Sequence, residues 1–525
     1  MLKYALALRT IKDLIVDREF HRPTGEGHAA EQALDMIMET VSILDYDCDY
    51  LPGAEFGQVT NDSRKVVADS IFAAIPGSTV NGEKFVVDAQ EKGAKVIISE
   101  HNLADLLLPG RVNLVVSDCY LAYAELCNAL ADFPARSFPA IGVTGTNGKT
   151  TTVMLLRKIL QEVNKKCGII STVEYDTGNS EPQAADRTTP EAERLFNFFS
   201  AMRSNQIDGM AMEVSSHALH QHRIGKLQFN TAIFTNLTGD HLDYHKTMEE
   251  YYLVKKMLFT RHLAANGTAI INCDDVYGMR LAQELAADNI AVLSFGCQSD
   301  QWRINNIATD RSGSKFTLQN GQRKVDFSIN LAGLHNIRNT AGAVLALEAA
   351  DLLTVEDSAA ILQNTAISVP GRLEAFTLPN GTVAMVDYAH THDALTNVLQ
   401  SLKALNFKRI IAVFGAGGDR DRSKRPLMGK AAALLSDVII LTSDNPRSEA
   451  PEQIISEIRA GIPAEFTNVY TVVDRKQAIA DAIKMAHADD VILIAGKGHE
   501  NYQEINGVKH HFDDREILRN IYSLD

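Results

Sequence analysis

The chain has 525 residues and a formal net charge of −15, with 66 Asp and Glu against 51 Lys and Arg. This length predicts about three domains, and the acidic balance argues against sequence-independent binding of nucleic acid. The six cysteines are scattered without a Cys-x-x-Cys pair, which favours reduced thiols in a cytoplasmic protein over a zinc site. No apolar run approaches the ~20 residues of a membrane span, and charges from residue 9 onward argue against a signal peptide.

The first predicted segment, residues 1–137, alternates short β-rich runs with helical stretches. The β-rich runs are residues 70–75, 95–99 and 112–116, and residues 121–133 have helical character. This alternation is typical of a small α/β domain. Residues 31–44, in the least regular part of the chain, also have a helical pattern.

The second segment, residues 138–367, begins with a glycine loop between an apolar run and a helix-periodic stretch. Strand, loop and helix start form a cradle in which backbone N–H groups and the positive helix end face phosphates. Lys149 would reach the terminal phosphates of a nucleoside triphosphate, and the Thr150 hydroxyl would ligate magnesium. The predicted ATP-binding residues of this loop are Gly145, Thr146, Asn147, Gly148, Lys149, Thr150 and Thr151.

The loop is shorter than the general phosphate-loop pattern, because Val143 stands where that pattern has its first glycine. GTPases and most transport or motor ATPases are therefore poor matches. The alternative is a glycine turn without any ligand, which the Lys-Thr pair in the required places makes the weaker interpretation.

Further strands of this segment are predicted at residues 209–212, 231–234 and 268–271, in a mostly parallel sheet. Glu213 follows the first of these strands and His241 follows the second. A carboxylate and an imidazole at strand ends could hold magnesium between phosphate and a second substrate. For Glu213 alone, a purely structural role is an equal alternative.

The third segment, residues 368–525, carries four β-branched runs that end in polar or glycine-rich loops. These runs are residues 383–386, 410–414, 438–441 and 491–495. Such runs are typical of a doubly wound, Rossmann-like sheet whose sites lie beyond the carboxyl ends of the strands. The whole chain is thus predicted to be an α/β protein with three domains.

Residues 144–151, 213–217 and 236–245 resemble the central domain of the Mur ligases, which build the peptide of bacterial peptidoglycan. The resemblance implies a UDP-binding first domain, a central ATPase domain and an amino-acid-binding third domain. It implies that Lys255 is carried as a CO2-derived carbamate, an anion that ligates a second magnesium ion. It also implies contacts with UDP-MurNAc-peptide from Ser63, Thr188, Thr189, Ser215, Gln221 and Arg223.

The resemblance also places Asn336, in the second segment, on the adenine side of the nucleotide and Arg372, in the third segment, on its phosphate side. Three further clusters are similar to the amino-acid site of the MurE type of the family. The residues carried over to that site are Arg420, Asp444, Asn445, Arg447, Gly496 and Glu500.

The chemistry of this predicted site suits an amino acid with a second zwitterionic head. Arg447 can hold a remote carboxylate in a bidentate fork, while Asp444 and Glu500 take an ammonium group. Meso-diaminopimelate has such a head, and lysine has only the ammonium group. A turn without function is the alternative for residues 444–447, since Asn-Pro often starts turns.

The resemblance implies that the chain uses ATP to join meso-diaminopimelate to the D-Glu γ-carboxylate of UDP-MurNAc-L-Ala-D-Glu, through an acyl phosphate. Lys149, Glu213, His241 and Lys255 are the implied catalytic residues, and Thr150, Glu213, His241 and carbamylated Lys255 the implied ligands of two magnesium ions. A monomer is expected. The rival hypotheses are a folylpolyglutamate-type ligase, a catalytically silent binding protein and a nucleotide-dependent switch.

Overall fold

The computed structural model describes residues 58–77, 80–179 and 181–522, together with the strand residues 5–6, 43–48 and 54–55. The strands are β1 (Ala5–Leu6), β2 (Ile43–Cys48), β3 (Ala54–Glu55), β4 (Val59–Thr60), β5 (Ser70–Ala73), β6 (Ala94–Ser99), β7 (Val112–Val116), β8 (Ala140–Thr144), β9 (Cys167–Ile170), β10 (Glu174–Asp176), β11 (Gln183–Ala184), β12 (Gly209–Glu213), β13 (Phe229–Phe234), β14 (Leu263–Asn272), β15 (Ala291–Gly296), β16 (Trp302–Asp310), β17 (Gly313–Asn320), β18 (Arg323–Ile329), β19 (Glu374–Thr377), β20 (Val383–Asp387), β21 (Ile410–Phe414), β22 (Val438–Leu441), β23 (Val469–Thr471), β24 (Val491–Ala495), β25 (Tyr502–Ile505) and β26 (Val508–His511).

The α-helices are α1 (Val86–Glu91), α2 (Cys119–Leu130), α3 (Lys149–Glu162), α4 (Ala192–Ser204), α5 (Ser216–His220), α6 (Leu242–His245), α7 (Met248–Thr260), α8 (Val276–Ala287), α9 (Leu334–Ala349), α10 (Val355–Gln363), α11 (His392–Ala404), α12 (Lys424–Leu435), α13 (Pro451–Arg459), α14 (Arg475–Met485) and α15 (Asp514–Tyr522). Short 3-10 helices span Ser63–Lys65, Gly82–Phe85, Ala104–Leu106 and Pro134–Ser137. Within the described part of the chain, no helix combines the length and the apolar character needed to cross a membrane.

The chain folds into two compact units, and each is built from separate stretches of sequence. The first unit comprises Met1–Ala140, Lys165–Asn230 and Met257–Ala264. The second comprises Ile141–Asn164, Thr231–Lys256 and Ala265–Asp525.

The amino-terminal part of the first unit contains a five-stranded sheet in the order β2-β7-β6-β5-β4. Strands β4 to β7 pair in parallel, whereas β2 runs antiparallel to β7. The predicted strands and the helix after β7 are confirmed. The predicted helix over residues 31–44 falls almost wholly outside the described residues, and it is wrong at its end because Ile43 and Leu44 begin β2.

The rest of the first unit contributes strands in the order β11-β10-β9-β12. Strand β12 pairs in parallel with β9, and the hairpin strands β10 and β11 continue from β9 in antiparallel fashion. All five residues of β12 are buried, which is typical of a strand covered on both faces. Glu213 is the last residue of this strand, so the fold positions its carboxylate at a strand end.

In the second unit, strands follow the order β8-β13-β14-β15-β16-β17-β18. Strand β8 pairs in parallel with β13, and β15 pairs in parallel with both β14 and β16. Strands β16 to β18 form an antiparallel meander that the sequence patterns did not predict. Most of their exposed residues are polar, and these residues interrupt the kind of apolar run that identified the other strands.

The carboxyl-terminal sheet of the second unit has the order β19-β20-β24-β21-β22-β23 and is parallel except for the edge strand β19. Alternate residues of β21 enter different cores. Ile410, Ala412 and Phe414 pack with α11, α12 and α13, whereas Ile411 and Val413 pack with α14 and α15. Helices therefore cover both faces, which confirms the predicted doubly wound sheet.

Candidate functional site

The predicted phosphate loop connects the end of β8 to the start of α3. Gly145 has φ of +146° and Gly148 has φ of +90°. A Cβ atom on Gly145 would lie 1.9 Å from Thr235 Oγ1, and one on Gly148 would lie 2.4 Å from Asn339 Oδ1. Glycine is thus required at both positions by backbone conformation and by close packing.

Asn236, which follows β13, holds the middle of this loop. Its carbonyl oxygen accepts a hydrogen bond from Thr146 N (2.9 Å), and its side-chain oxygen accepts one from Asn147 N (2.9 Å). The side-chain nitrogen of Asn236 donates to Asn147 O at 3.0 Å. The first hydrogen bond of α3 runs from Thr152 N to Gly148 O, so the N–H groups of the preceding helical residues are the ones directed toward a phosphate.

Side chains from two parts of the second unit converge on the loop. Lys149 Nζ donates to Gly145 O (2.9 Å) and Thr146 O (3.0 Å). Arg372 Nη2 donates to the Thr150 hydroxyl at 3.1 Å, and the Arg372 guanidinium stacks over the Tyr388 ring at 4.5 Å. The fold thus brings together two predicted nucleotide contacts that are 222 residues apart in sequence.

Helix α9 also packs against the loop, through Asn339 beside Gly148. Asn336 lies one turn earlier and is buried, and its side-chain nitrogen donates to Ala332 O at 2.9 Å. Arg338 pairs with Asp274 at 2.7 Å. Asn336 therefore lies on the helix that packs against the phosphate loop, one turn before Asn339. Its predicted contact with the adenine stays a prediction.

Lys255 is buried beneath the loop, with 1% of its surface exposed. Its Nζ donates to Gly145 O at 2.9 Å and lies 3.5 Å from Thr144 Oγ1 and 4.7 Å from the centre of the Tyr251 ring. Burial, followed by repulsion from Lys149, lowers the pKa of Lys255 well below its ordinary value. The site therefore disfavours the ammonium form of Lys255 relative to a lysine in solvent.

His241 precedes α6 in a left-handed conformation with φ of +55°, and its Nε2 lies 3.5 Å from Asp240 Oδ2. Burial raises the pKa of Asp240, but His241, His390 and Lys424 together lower it below its ordinary value. Asp240 is thus a carboxylate in a positively charged environment. Asp240 was not among the site residues predicted from the sequence, although it directly precedes the predicted His241.

In the first unit, the Glu213 carboxylate is 1% exposed and organises the neighbouring segment. Its Oε1 accepts from Thr172 N (2.8 Å) and its Oε2 from the Thr172 hydroxyl (3.1 Å). The same hydroxyl lies 3.1 Å from Thr188 Oγ1, and the Thr189 hydroxyl donates to Glu213 O at 2.9 Å. Glu213 and the pair Thr188 and Thr189, predicted from two separate motifs, therefore share one hydrogen-bond network.

The remaining predicted substrate residues of this unit extend the network. Ser215 N donates to Thr189 Oγ1 at 3.2 Å, and the Ser215 hydroxyl caps α5. Arg223 donates to Thr189 O (3.1 Å) and to Gln221 Oε1 (2.9 Å). Ser63 is the exception, because it lies in the 3-10 helix after β4 and its carbonyl accepts from Lys92 Nζ.

In the carboxyl-terminal sheet, the loops after β22 and β24 meet. Asn445 Nδ2 donates to Glu500 Oε2 at 2.9 Å, and Lys497 Nζ donates to Asn445 Oδ1 at 3.2 Å. A Cβ atom on Gly496 would lie 2.3 Å from Asp444 Oδ2, so this glycine admits the carboxylate. Lys497 is fully buried and joins the cluster without having been selected from the sequence.

The two carboxyl groups of this cluster have opposite pKa shifts. Burial raises the pKa of Asp444, but Lys497 and Arg475 lower it below its ordinary value. Burial and the nearby Asp444 raise the pKa of Glu500. Asp444 is therefore the better candidate for a permanent negative charge.

Arg447 is held at the edge of this cluster with φ of +51°. Its Nε lies 3.1 Å from Glu504 Oε2, and its Nη1 donates to Gly418 O at 2.7 Å. Arg420 is on the same glycine-rich loop, where its Nη1 donates to Asp419 O at 3.2 Å. Glu504 was not predicted, because it lies outside the motifs used to find the site.

Among the described residues, no group of three or more His, Cys, Asp and Glu side chains is arranged to hold a metal ion.

Three family patterns match the chain. The Mur ligase family catalytic domain matches residues 55–121, the Mur ligase middle domain residues 143–347, and the Mur ligase glutamate ligase domain residues 371–498. The chain is 39% identical over 471 residues to the UDP-N-acetylmuramoyl-L-alanyl-D-glutamate--2,6-diaminopimelate ligase of Clostridioides difficile, covering 89% of this chain and 95% of the relative. The enzyme of the same name from Parabacteroides distasonis is 41% identical over 481 residues, covering 90% and 96%.

Solved structures show the same relationship. A UDP-N-acetylmuramoyl-L-alanyl-D-glutamate--2,6-diaminopimelate ligase superposes with a TM-score of 0.64 at 33% identity, covering 91% of this chain and 97% of the other. MurF from Acinetobacter baumannii, at 19% identity and a TM-score of 0.62 over 94% and 98% of the two chains, shares the fold. The chain therefore belongs to the Mur ligase family and has its three-domain α/β fold.

Proposed function

We propose that the chain is an ATP-dependent ligase that adds meso-diaminopimelate to the D-Glu γ-carboxylate of UDP-MurNAc-L-Ala-D-Glu, in the synthesis of peptidoglycan precursors. The observation that carries the proposal is the cluster of Asp444, Asn445, Lys497 and Glu500 with Arg447 at its edge, in one chain with the shortened phosphate loop. The names of relatives about 40% identical over most of the chain support the same substrates.

A carboxylate and an amine do not condense unaided in water. In the proposed reaction, the γ-carboxylate oxygen attacks the γ-phosphorus of ATP, which forms an acyl phosphate and releases ADP. The amine of diaminopimelate then attacks the acyl carbon and expels phosphate, and the nitrogen loses its proton as the amide forms. The protein supplies positioning and charge neutralisation, chiefly from Lys149 and Arg372 beside the phosphate loop.

Magnesium, when bound, would neutralise phosphate charge. The proposed ligands are the Thr150 hydroxyl, the Glu213 carboxylate, the His241 imidazole and carbamylated Lys255. Thr150 fits this role because its hydroxyl is on the first turn of α3, directly after the phosphate loop.

Carbamylation of Lys255 requires a neutral amine that can attack CO2. The burial of Lys255 and its lowered pKa favour that form, and an unmodified ammonium group beside magnesium would repel the metal. The carbamate would instead supply an anionic oxygen ligand.

The network of Thr188, Thr189, Ser215, Gln221 and Arg223 is proposed to hold the UDP-MurNAc-peptide, with Ser63 on the uridine side. This network is hydrogen-bonded to Glu213, a proposed magnesium ligand. That connection supports the proposal that the network holds the substrate with its γ-carboxylate near the magnesium site. Asn336 is proposed to contact the adenine. At the other substrate, Arg420 and Gly496 are proposed to join Asp444, Asn445, Arg447 and Glu500.

The proposed domains are residues 1–137 for UDP-MurNAc binding, 138–367 for ATP binding and 368–525 for amino-acid binding. A cytoplasmic location and a monomeric state also remain predictions.

The decisive experiment measures phosphate release from ATP with UDP-MurNAc-L-Ala-D-Glu and a panel of amino acids. We expect release only with both acceptor and amino acid, the highest kcat/KM with meso-diaminopimelate, and a UDP-linked tripeptide by mass spectrometry. Release with folate and glutamate would instead indicate a folylpolyglutamate-type ligase. Release that is independent of any amino acid would indicate a nucleotide switch.

A further inference from the structure

Glu504 lies on the hairpin of β25 and β26, directly beside Arg447. Two backbone hydrogen bonds join these segments, from Arg447 N to Glu504 O (3.0 Å) and from Asn506 N to Arg447 O (2.9 Å). A third bond, from Glu504 N to Asn445 Oδ1 (2.9 Å), connects the hairpin to the centre of the amino-acid cluster. The hairpin therefore holds the Glu504 carboxylate at a defined place beside the Arg447 guanidinium.

Glu504 differs from Asp444 and Glu500 in its exposure and in the hydrogen bonds that its carboxylate oxygens accept. Asp444 is 7% exposed beside Lys497 and Arg475, and Glu500 Oε2 accepts from both Asn445 and Lys497. The Glu504 side chain is 25% exposed, and its Oε2 is 3.1 Å from Arg447 Nε. Its Oε1 accepts no hydrogen bond from any described residue, so this oxygen is available to a ligand.

The distal head of diaminopimelate carries a carboxylate and an ammonium group on one carbon atom. If Arg447 holds the distal carboxylate, as the proposed function requires, the ammonium group must lie next to that ion pair. The Glu504 carboxylate, which is held against the Arg447 guanidinium, is well placed to accept a hydrogen bond from that ammonium group. We propose that Glu504 joins Asp444 and Glu500 in binding the distal ammonium group of diaminopimelate, and that Glu504 and Arg447 together recognise the zwitterionic head.

This pair would distinguish three related amino acids by charge. Diaminopimelate satisfies both residues. Lysine lacks the distal carboxylate, so it leaves Arg447 to repel its ammonium group. L-2-aminopimelate keeps the carboxylate and lacks the distal ammonium group, so it would satisfy Arg447 and leave Glu504 Oε1 without a cationic partner.

The test compares Glu504→Gln with the parent enzyme on meso-diaminopimelate and on L-2-aminopimelate, which serves as a competitive inhibitor if it is not turned over. The amide oxygen of glutamine can still accept from Arg447 Nε, so the variant removes the charge and keeps the geometry. We expect kcat/KM for diaminopimelate to fall about tenfold or more, as for loss of a hydrogen bond to a charged group. The kcat/KM or inhibition constant for L-2-aminopimelate should change less than about twofold, because that ligand has no ammonium group to lose.

Glu516→Gln is the matched control, because it also removes one carboxylate and lies on α15, where Glu516 pairs with His511 on the same hairpin. It should leave the ratio between the two ligands unchanged. An equal loss for both ligands in Glu504→Gln would overturn the inference, since it would mean that Glu504 only positions Arg447. No loss for either ligand would also overturn it and leave the proposed function intact, whereas a parent enzyme inactive with diaminopimelate would overturn both.

Discussion

The Lys149 ammonium group lies over the phosphate loop, held by the carbonyl oxygens of Gly145 and Thr146. Its side chain supplies positive charge at the loop and contributes little to packing. We therefore expect Lys149→Ala to fold and to lose turnover. Removing a charge-assisted contact that strengthens in the transition state costs several kcal/mol, or roughly a thousandfold in rate. The measurement is the initial rate at saturating ATP, with the melting temperature as the control for folding. A drop below about tenfold would mean that another cation holds the γ-phosphate.

Lys255 is predicted to act as its carbamate. Lys255→Ala should lose most activity, because the variant has no amine to carbamylate, and short carboxylates such as acetate should restore part of it. Intact-mass measurement of the parent protein, prepared with and without CO2, should reveal a labile carbamate adduct. Full activity of Lys255→Ala in CO2-free buffer would contradict the prediction.

Arg447 is predicted to govern the choice of amino acid. A guanidinium–carboxylate pair in a closed site contributes about 1.5–3 kcal/mol, and an unpaired buried carboxylate raises the cost of removing the arginine to about 2–5 kcal/mol. Arg447→Ala should therefore lower kcat/KM for meso-diaminopimelate by roughly a hundredfold or more, while the KM for ATP hardly moves. Arg447→Lys should rescue only part of the loss, because an ammonium group cannot form the fork. If the parent enzyme used lysine as readily as diaminopimelate, this assignment would be wrong.

At the scale of elements, the phosphate loop depends on two glycines that meet side chains from other elements. Gly145→Ala would place a Cβ atom 1.9 Å from Thr235 Oγ1 at a φ of +146°. Since Thr235 also donates to Asn147 O, the clash would displace the loop that positions Lys149. We expect kcat/KM for ATP to fall at least about tenfold, measured by phosphate release.

The control for this glycine is Gly110→Ala. Gly110 also has positive φ, +73°, but a Cβ atom there meets nothing within 4 Å. This variant carries the backbone strain without the loop clash, so its rate should match that of the parent. Equal rates for Gly145→Ala and the parent would show that the loop tolerates the displacement.

The positions of strands that consist of one continuous apolar run could be predicted from the sequence. The buried parallel strands of the carboxyl-terminal sheet are continuous apolar runs, and their predicted ranges agree with β20, β21, β22 and β24 to within a residue. Strand β16 was missed because most of its exposed residues are polar, so it contains no continuous apolar run. The hairpin of β25 and β26 was missed for the same reason, and with it Glu504.

At the scale of the whole molecule, several ion pairs make stability depend on pH. The hydrogen bond from Arg425, acting against burial, lowers the pKa of Glu449 from 4.5 to about 2. Burial raises the pKa of Glu284, but hydrogen bonds from Tyr252, Lys256 and Arg280 lower it from 4.5 to about 2. Because the folded-state pKa is depressed in both cases, the stabilisation is present above pH 4.5 and is lost as the pH falls toward 2.

We therefore expect the melting temperature to decrease between about pH 5 and pH 2, with a shallower decrease in Glu449→Gln. Glu452→Gln is the control, because it removes an exposed acid on the neighbouring helix α13. Scanning fluorimetry across this pH range provides the measurement. The same slope in both variants would contradict a contribution from Glu449.

The sequence by itself determined the features that depend on local chemistry and spacing. These features are the phosphate loop, the buried parallel strands, the α/β class and the resemblance to the Mur ligases. They could be predicted because a glycine loop, a Lys-Thr pair and an apolar run are each recognised from adjacent residues alone. The tertiary structure alone decided which distant side chains meet. Arg372 reaches Thr150, Thr172 binds Glu213, and Glu504 pairs with Arg447 because separate loops converge at strand ends. The pKa of Lys255 likewise follows from burial beneath a loop about 110 residues away, which no local pattern encodes.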